Sequence, residues 1–69
     1  MALLEGRFIR HGEYGAWIVE DHDFRFGDCY SVIIAHLPSN KRVDGSFGIL
    51  YLEDATVEAR QLLELNNDQ

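Results

Sequence analysis

Apolar residues in this chain fall into short runs separated by glycine and polar clusters, the pattern of a small antiparallel sheet. Residues 6–11 are predicted as a first strand, and Gly12-Glu13 as a tight turn into a second at 14–19, since a two-residue link with glycine suits a primed turn. Glu20-Asp21-His22-Asp23 is expected to form a polar loop. Phe24-Arg25-Phe26 and Gly27-Asp28 then lead into the longest strand, 29–37, which Pro38-Ser39-Asn40 should end. Residues 41–43 are predicted as a fourth strand, Asp44-Gly45 as a hairpin turn, and 47–52 as a fifth strand.

The tail has a different period. Ala55, Ala59 and Leu62 recur at three- and four-residue spacing, predicting a helix over 54–66 with Asp54 as its N-cap and Asn66-Asn67 at its end. The long strand alternates Tyr30, Val32, Ile34 and His36 on one face with Cys29, Ser31, Ile33, Ala35 and Leu37 on the other. Both faces are largely apolar, so one should enter the sheet's own core while the other needs a lid, from the helix or a second subunit. The expectation is a single domain over 1–69, mainly β with one C-terminal α-helix (α+β). Its five antiparallel strands (6–52) would form a small barrel, or a strongly curved sheet capped by the helix.

Size limits what holds such a fold together. A chain of 69 residues buries only ~60% of the surface its unfolded form exposes, and one core of that size supplies ~3–5 kcal/mol. The single Cys29 excludes an internal disulfide, and no run of Cys and His has zinc-ligand spacing. Self-association, as a homodimer or higher homo-oligomer, is therefore the expected support. Six basic and twelve acidic residues give a net charge of −6, and only Lys41-Arg42 are adjacent bases, which disfavours a direct grip on nucleic acid. No apolar run reaches the ~18 residues of a membrane span, no basic-then-apolar leader opens the chain, and one unpaired cysteine suits a reducing compartment. A cytoplasmic protein is the expectation.

Candidate chemistry is sparse. Asp21-His22-Asp23 combines three metal-ligating types, but neighbours on an extended chain point apart and cannot readily converge on one ion. His11 and His36 lie on separate strands. Cys29 stands beside Asp28, which opposes thiolate formation, so inert packing is expected of it. No serine sits in a nucleophile elbow, and Gly45-Ser46-Phe47-Gly48 lacks the lysine and following helix of a phosphate loop. No catalytic residue, metal site or cofactor is expected. The eight aromatic residues should mostly be core. Tyr14 and Trp17 fall on opposite strand faces, so one of them is expected outside as an interface anchor. Together with the acidic Asp21 and Asp23, these two are the candidate partner-binding residues.

Five short strands with a glycine-aspartate entering a central apolar strand (Phe26-Gly27-Asp28-Cys29-Tyr30-Ser31-Val32) resemble SH3-like small barrels. More narrowly, Gly6-Arg7-Phe8-Ile9, Gly27-Asp28-Cys29-Tyr30, Lys41-Arg42-Val43-Asp44 and Leu50-Tyr51-Leu52 resemble a family of small bacterial proteins of unknown function found among mobile-element genes. Lys41 stands where that pattern has threonine, and Leu50 where it has tryptophan. The resemblance spans 6–52 and implies a fold and a phage- or plasmid-associated setting, with no functional residue to carry over. The functional expectation is a non-catalytic protein-interaction module that self-associates and docks on a larger protein. The alternative is an acidic mobile-element inhibitor, of anti-CRISPR or anti-restriction type, that covers a basic nucleic-acid groove of a host enzyme.

Overall fold

Gly12, at a φ of 63°, closes the first hairpin in the computed structural model, joining β1 (Ala2–His11) to β2 (Tyr14–Asp23). Glycine takes that left-handed conformation without the clash a Cβ brings. β3 (Gly27–His36), β4 (Lys41–Ile49) and α1 (Leu52–Asn67) follow. The structure describes the backbone of residues 2–23, 25 and 27–68, and the side chains of 7–22, 25 and 27–68. The strand expected at Phe24-Arg25-Phe26 and the side chain of Asp23 thus lie outside the described residues.

The strands form one antiparallel meander in the order β1-β2-β3-β4. This corrects the expected barrel: there are four strands rather than five, and among the described residues β1 and β4 are not joined, so the sheet is open. The difference arises at Asp44-Gly45, which does not turn the chain. Asp44 Oδ1 accepts a hydrogen bond from the Gly45 N–H at 2.8 Å, and the strand runs on through both residues. Opposite β3, Ile34 pairs with Asp44 but Ala35 with Arg42, leaving Val43 as an extra residue. A second extra residue falls between Ser46, opposite Val32, and Ile49, opposite Tyr30. Gly48, at a φ of 74°, lies in that second bulge. The predicted fourth and fifth strands are therefore one bulged edge strand. The expected loop at 20–23 is also strand, because β2 pairs with β3 without interruption from Tyr14↔His36 to Asp23↔Gly27.

α1 lies across the sheet face that carries Ala16, Ile18, Val32 and Ile34, and buries Ala55, Ala59 and Leu63 against them. Leu62 is only half-buried at the margin of this core; Leu63 takes the deeper place. The helix begins at Leu52, earlier than expected, with Tyr51 at the N-cap position and no side-chain cap bond. Asp54 is thus not the cap. It sits in the first turn with Glu53, where negative charge offsets the positive end of the helix dipole.

The core is aliphatic, contrary to expectation. None of the described aromatic residues is fully buried; Phe8, Phe47 and Tyr51 are exposed, while Tyr14, Trp17 and Tyr30 are half-buried. Ala16, Ala55 and Ala59 share the buried cluster with Ile18, Val32, Ile34 and Leu63, and Tyr14 and Tyr30 pack only at its margin.

The opposite face of the sheet has no helix on it, yet Val19, Cys29, Ser31 and Ala35 are all buried there. Part of the cover is local. Phe8 and Trp17 pack ring against ring with centroids 4.8 Å apart, and Phe8 and Leu37 lie so close over Gly15 that a Cβ there would collide with the phenyl ring. The long strand is therefore shielded on both faces within one chain, and no second subunit is needed for that purpose.

Asn66 and Asn67 do more than end the helix. Asn67 Nδ2 donates to the His11 carbonyl at 2.9 Å and to Leu63 O at 2.8 Å, tying the helix end to the first hairpin. Asn66 Nδ2 donates to Asp44 Oδ2 at 3.2 Å and to Leu62 O at 2.8 Å, tying it to β4. Asn67→Ala should lower stability by about 1–2 kcal/mol, since it removes both bonds of a half-buried amide. Asn67→Asp should not restore the loss, because a carboxylate cannot donate to two carbonyls; urea denaturation of the three proteins checks this.

Candidate functional site

The corner where β4 gives way to α1 holds the two most exposed large apolar side chains among the described residues, Phe47 and Tyr51, with Leu50 between them. Phe47 is 78% exposed, Tyr51 67% and Leu50 50%, all within five residues. Local backbone explains the exposure. Gly48 bends the strand at the second bulge, while Leu50 and Tyr51 belong to neither the ladder nor the helix. Ile49 and Leu52, the first residue of α1, both pack against the core, so the segment is anchored at both points while Phe47, Leu50 and Tyr51 are exposed. The acids Glu53 and Asp54 of the first helical turn border this patch, and both are exposed. An apolar centre with a charged rim is the arrangement of a protein-docking surface.

The four residues singled out from sequence are elsewhere. Tyr14 and Trp17 do occupy opposite faces, but each is half-buried. Tyr14 joins the margin of the core and packs on the His36 ring with centroids 5.2 Å apart; Trp17 packs on Phe8. Asp21 faces Ser31, whose Oγ donates to its Oδ2 at 3.1 Å, while its Oδ1 accepts from the His22 N–H at 2.8 Å. Both its oxygens are engaged within the sheet. The more exposed aromatics, Phe47 and Tyr51, were hidden in sequence because 47–52 reads as a strand. The nearby signal was Gly45 and Gly48, two glycines in four residues, which weaken any regular strand there.

Two polar clusters complete the surface. His36 Nε2 lies 3.1 Å from Glu13 Oε2 and its Nδ1 2.8 Å from Ser39 Oγ. A carboxylate only accepts, so Glu13 selects the Nε2–H form of the ring, and Nδ1 is left to accept from the serine. Carboxylate, imidazole and hydroxyl in series are the parts of a nucleophilic relay. Here Ser39 also lies close to the His36 carbonyl, at 3.4 Å, three residues away across the exposed turn, so the cluster serves to hold that turn. His22 Nδ1 and Asp28 Oδ1, 3.3 Å apart on facing strands, are largely exposed and contribute little. His11 and His36 flank Tyr14 on adjacent strands and do not meet. No group of three or more His, Cys, Asp or Glu side chains among the described residues is placed to hold a metal. Cys29 is buried, as inert packing requires.

What fold and surface define is an open four-stranded antiparallel sheet, one helix on a single face, and an aromatic corner at the sheet edge. Beyond that class no relative guides the assignment: no protein-family model, curated protein or solved structure matches the chain. No described helix is long and apolar enough to cross a membrane.

Proposed function

We propose that the protein is a non-catalytic interaction module that docks on a larger protein through the β4–α1 corner, with Phe47 and Tyr51 as anchors. The observation that carries this reading is the clustering of Phe47, Leu50 and Tyr51, each half or more exposed, on a segment whose neighbours are fixed in the core. Aromatic side chains in such a setting concentrate binding energy when a partner's pocket desolvates them. A net charge of −6 keeps the free protein in solution despite this exposed corner. Strand addition at β4 is disfavoured, because two bulges interrupt the edge that a partner strand would have to match.

Affinity capture from the cells that make the protein tests this. Wild type should retain a stoichiometric partner, and Phe47→Ser and Tyr51→Ser should each lose it while keeping the same circular dichroism and urea midpoint. Retention of the same protein by both variants would exclude the corner as the docking site.

One observation favours the groove-blocking alternative. The exposed side of α1 carries Glu53, Asp54 and Glu64, with Asp68 at its C-cap and Arg60 its only base. An acidic rod of 16 residues, roughly 24 Å long, has the charge to occupy a nucleic-acid groove. The two readings separate by salt. Anchoring through Phe47 and Tyr51 should leave affinity within about threefold between low and moderate ionic strength, whereas a charge-driven inhibitor should lose affinity steeply.

A further inference from the structure

On the flank of α1 that faces β1, Arg7, Ile9, Ile18, Thr56 and Arg60 line a depression of about 150 Å³. Its apolar lining comes from the sheet, since Ile18 is buried and Ile9 packs at the margin of the core. The two arginines come from different elements, β1 and α1. Thr56 and Arg60 stand one helical turn apart, so the helix presents both to the same side.

The charge at this place runs against the rest of the molecule. Acids outnumber bases two to one in the chain, yet neither guanidinium makes an ion pair or hydrogen bond with a described residue. Glu64, one turn beyond Arg60, forms no ion pair with it. Two like charges beside one depression repel each other, and an anion bound there relieves the repulsion. The planar fork of guanidinium matches two oxygens of a carboxylate or a phosphate at once, and the Ile9 and Ile18 lining favours an anion that also carries an apolar group. A volume of ~150 Å³ suits an apolar group near the size of benzene.

We infer that this depression is a binding site for a small monocarboxylate bearing an apolar group: its carboxylate lies between Arg7 and Arg60 and its apolar part rests on Ile9 and Ile18. The Thr56 hydroxyl donates to the Leu52 carbonyl at 3.0 Å, so its oxygen is available only to accept. It therefore gives the carboxylate no donor, and the two arginines carry the recognition. This inference stands apart from the docking corner, and its test involves no protein partner.

The test is an NMR titration of the whole chain with benzoate, with benzamide and inorganic phosphate as comparison probes. Benzoate should saturate with a millimolar dissociation constant and shift the Ile9 and Ile18 resonances. Arg7→Gln and Arg60→Gln should each weaken it by about tenfold or more, since each removes a charge-assisted contact. Both arginines are exposed, so the variants should give otherwise unchanged amide spectra, which the same experiment reads. Benzamide, with the same shape and no charge, should not saturate, and phosphate should bind more weakly than benzoate. Absence of saturable benzoate binding, equal binding by either variant, or a match from benzamide or phosphate would overturn the assignment.

Discussion

Leu63→Ala should leave the protein largely unfolded at room temperature. Truncating a fully buried leucine costs about 2–5 kcal/mol, part from lost burial and part from the cavity left behind. Leu63 is 1% exposed and sits in the helix–sheet core with Ile18, Val32 and Ile34. A domain of this length has only ~3–5 kcal/mol to lose. Neighbours cannot easily collapse into the gap, because the sheet beneath is held by continuous pairing of β2 with β3. Urea denaturation followed by circular dichroism should show the native baseline shortened or absent. Leu63→Met should retain most of the stability, since it conserves volume. A Leu63→Ala midpoint equal to wild type would mean that α1 does not pack on the sheet as described.

The second large effect is expected at Gly45. A Cβ built there would lie 2.7 Å from the Val32 carbonyl oxygen and 2.9 Å from an Arg42 guanidinium nitrogen. The arginine can move aside, but the carbonyl belongs to the central strand and cannot shift without parting β3 from β4. Gly45→Ala should therefore cost about 1–3 kcal/mol, the range of overpacking in a tight site. Gly48→Ala offers the comparison. Nothing stands within 4 Å of its Cβ position, so only its positive φ opposes substitution. That penalty should be about 1 kcal/mol, smaller than the loss at Gly45. Hydrogen exchange would locate the damage: the Gly45 variant should expose amides along the β3–β4 ladder and leave β1–β2 protected.

The same glycine shows where sequence reasoning succeeds and where it stops. Alternation of apolar residues from 29 to 37 correctly marked a strand shielded on both sides, because a period of two with two apolar faces has few other solutions. Ala55 and Ala59 marked the buried side of the helix for the same kind of reason. Asp44-Gly45 misled because the dipeptide reads as a two-residue turn. Here both residues instead pair regularly with Ile34 and Ile33 and the extra residues fall on either side of them, a choice that belongs to the partner strand. The aromatic residues misled for a related cause. Ring size argues for burial, but the helix–sheet core is filled by Ala16, Ala55 and Ala59 together with aliphatic side chains, a combination that cannot be read one residue at a time. The proposed docking corner was illegible as a consequence, since 47–52 reads as a fifth strand and its aromatics as core. The arginine pair was illegible too, because Arg7 and Arg60 are brought together only by the tertiary placement of α1.

Most of the molecule is occupied with holding itself together. Asp21, Ser31, Asn66, Asn67, Glu13 and His36 each bond to another part of the fold. Phe47 and Tyr51 pack on no other ring among the described residues and lie outside the helix–sheet core. Exposing such groups costs solubility, and the proposed docking role accounts for that cost.

Site-specific photo-crosslinking in the producing cells measures this most directly, with a benzophenone amino acid placed at Tyr51 or, as control, at the exposed Gln61 of the helix. If the corner docks a partner, the Tyr51 position should yield one dominant adduct that the Gln61 position does not, and Phe47→Ser should abolish it. Adducts that are absent, or that are the same from both positions, would contradict the assignment.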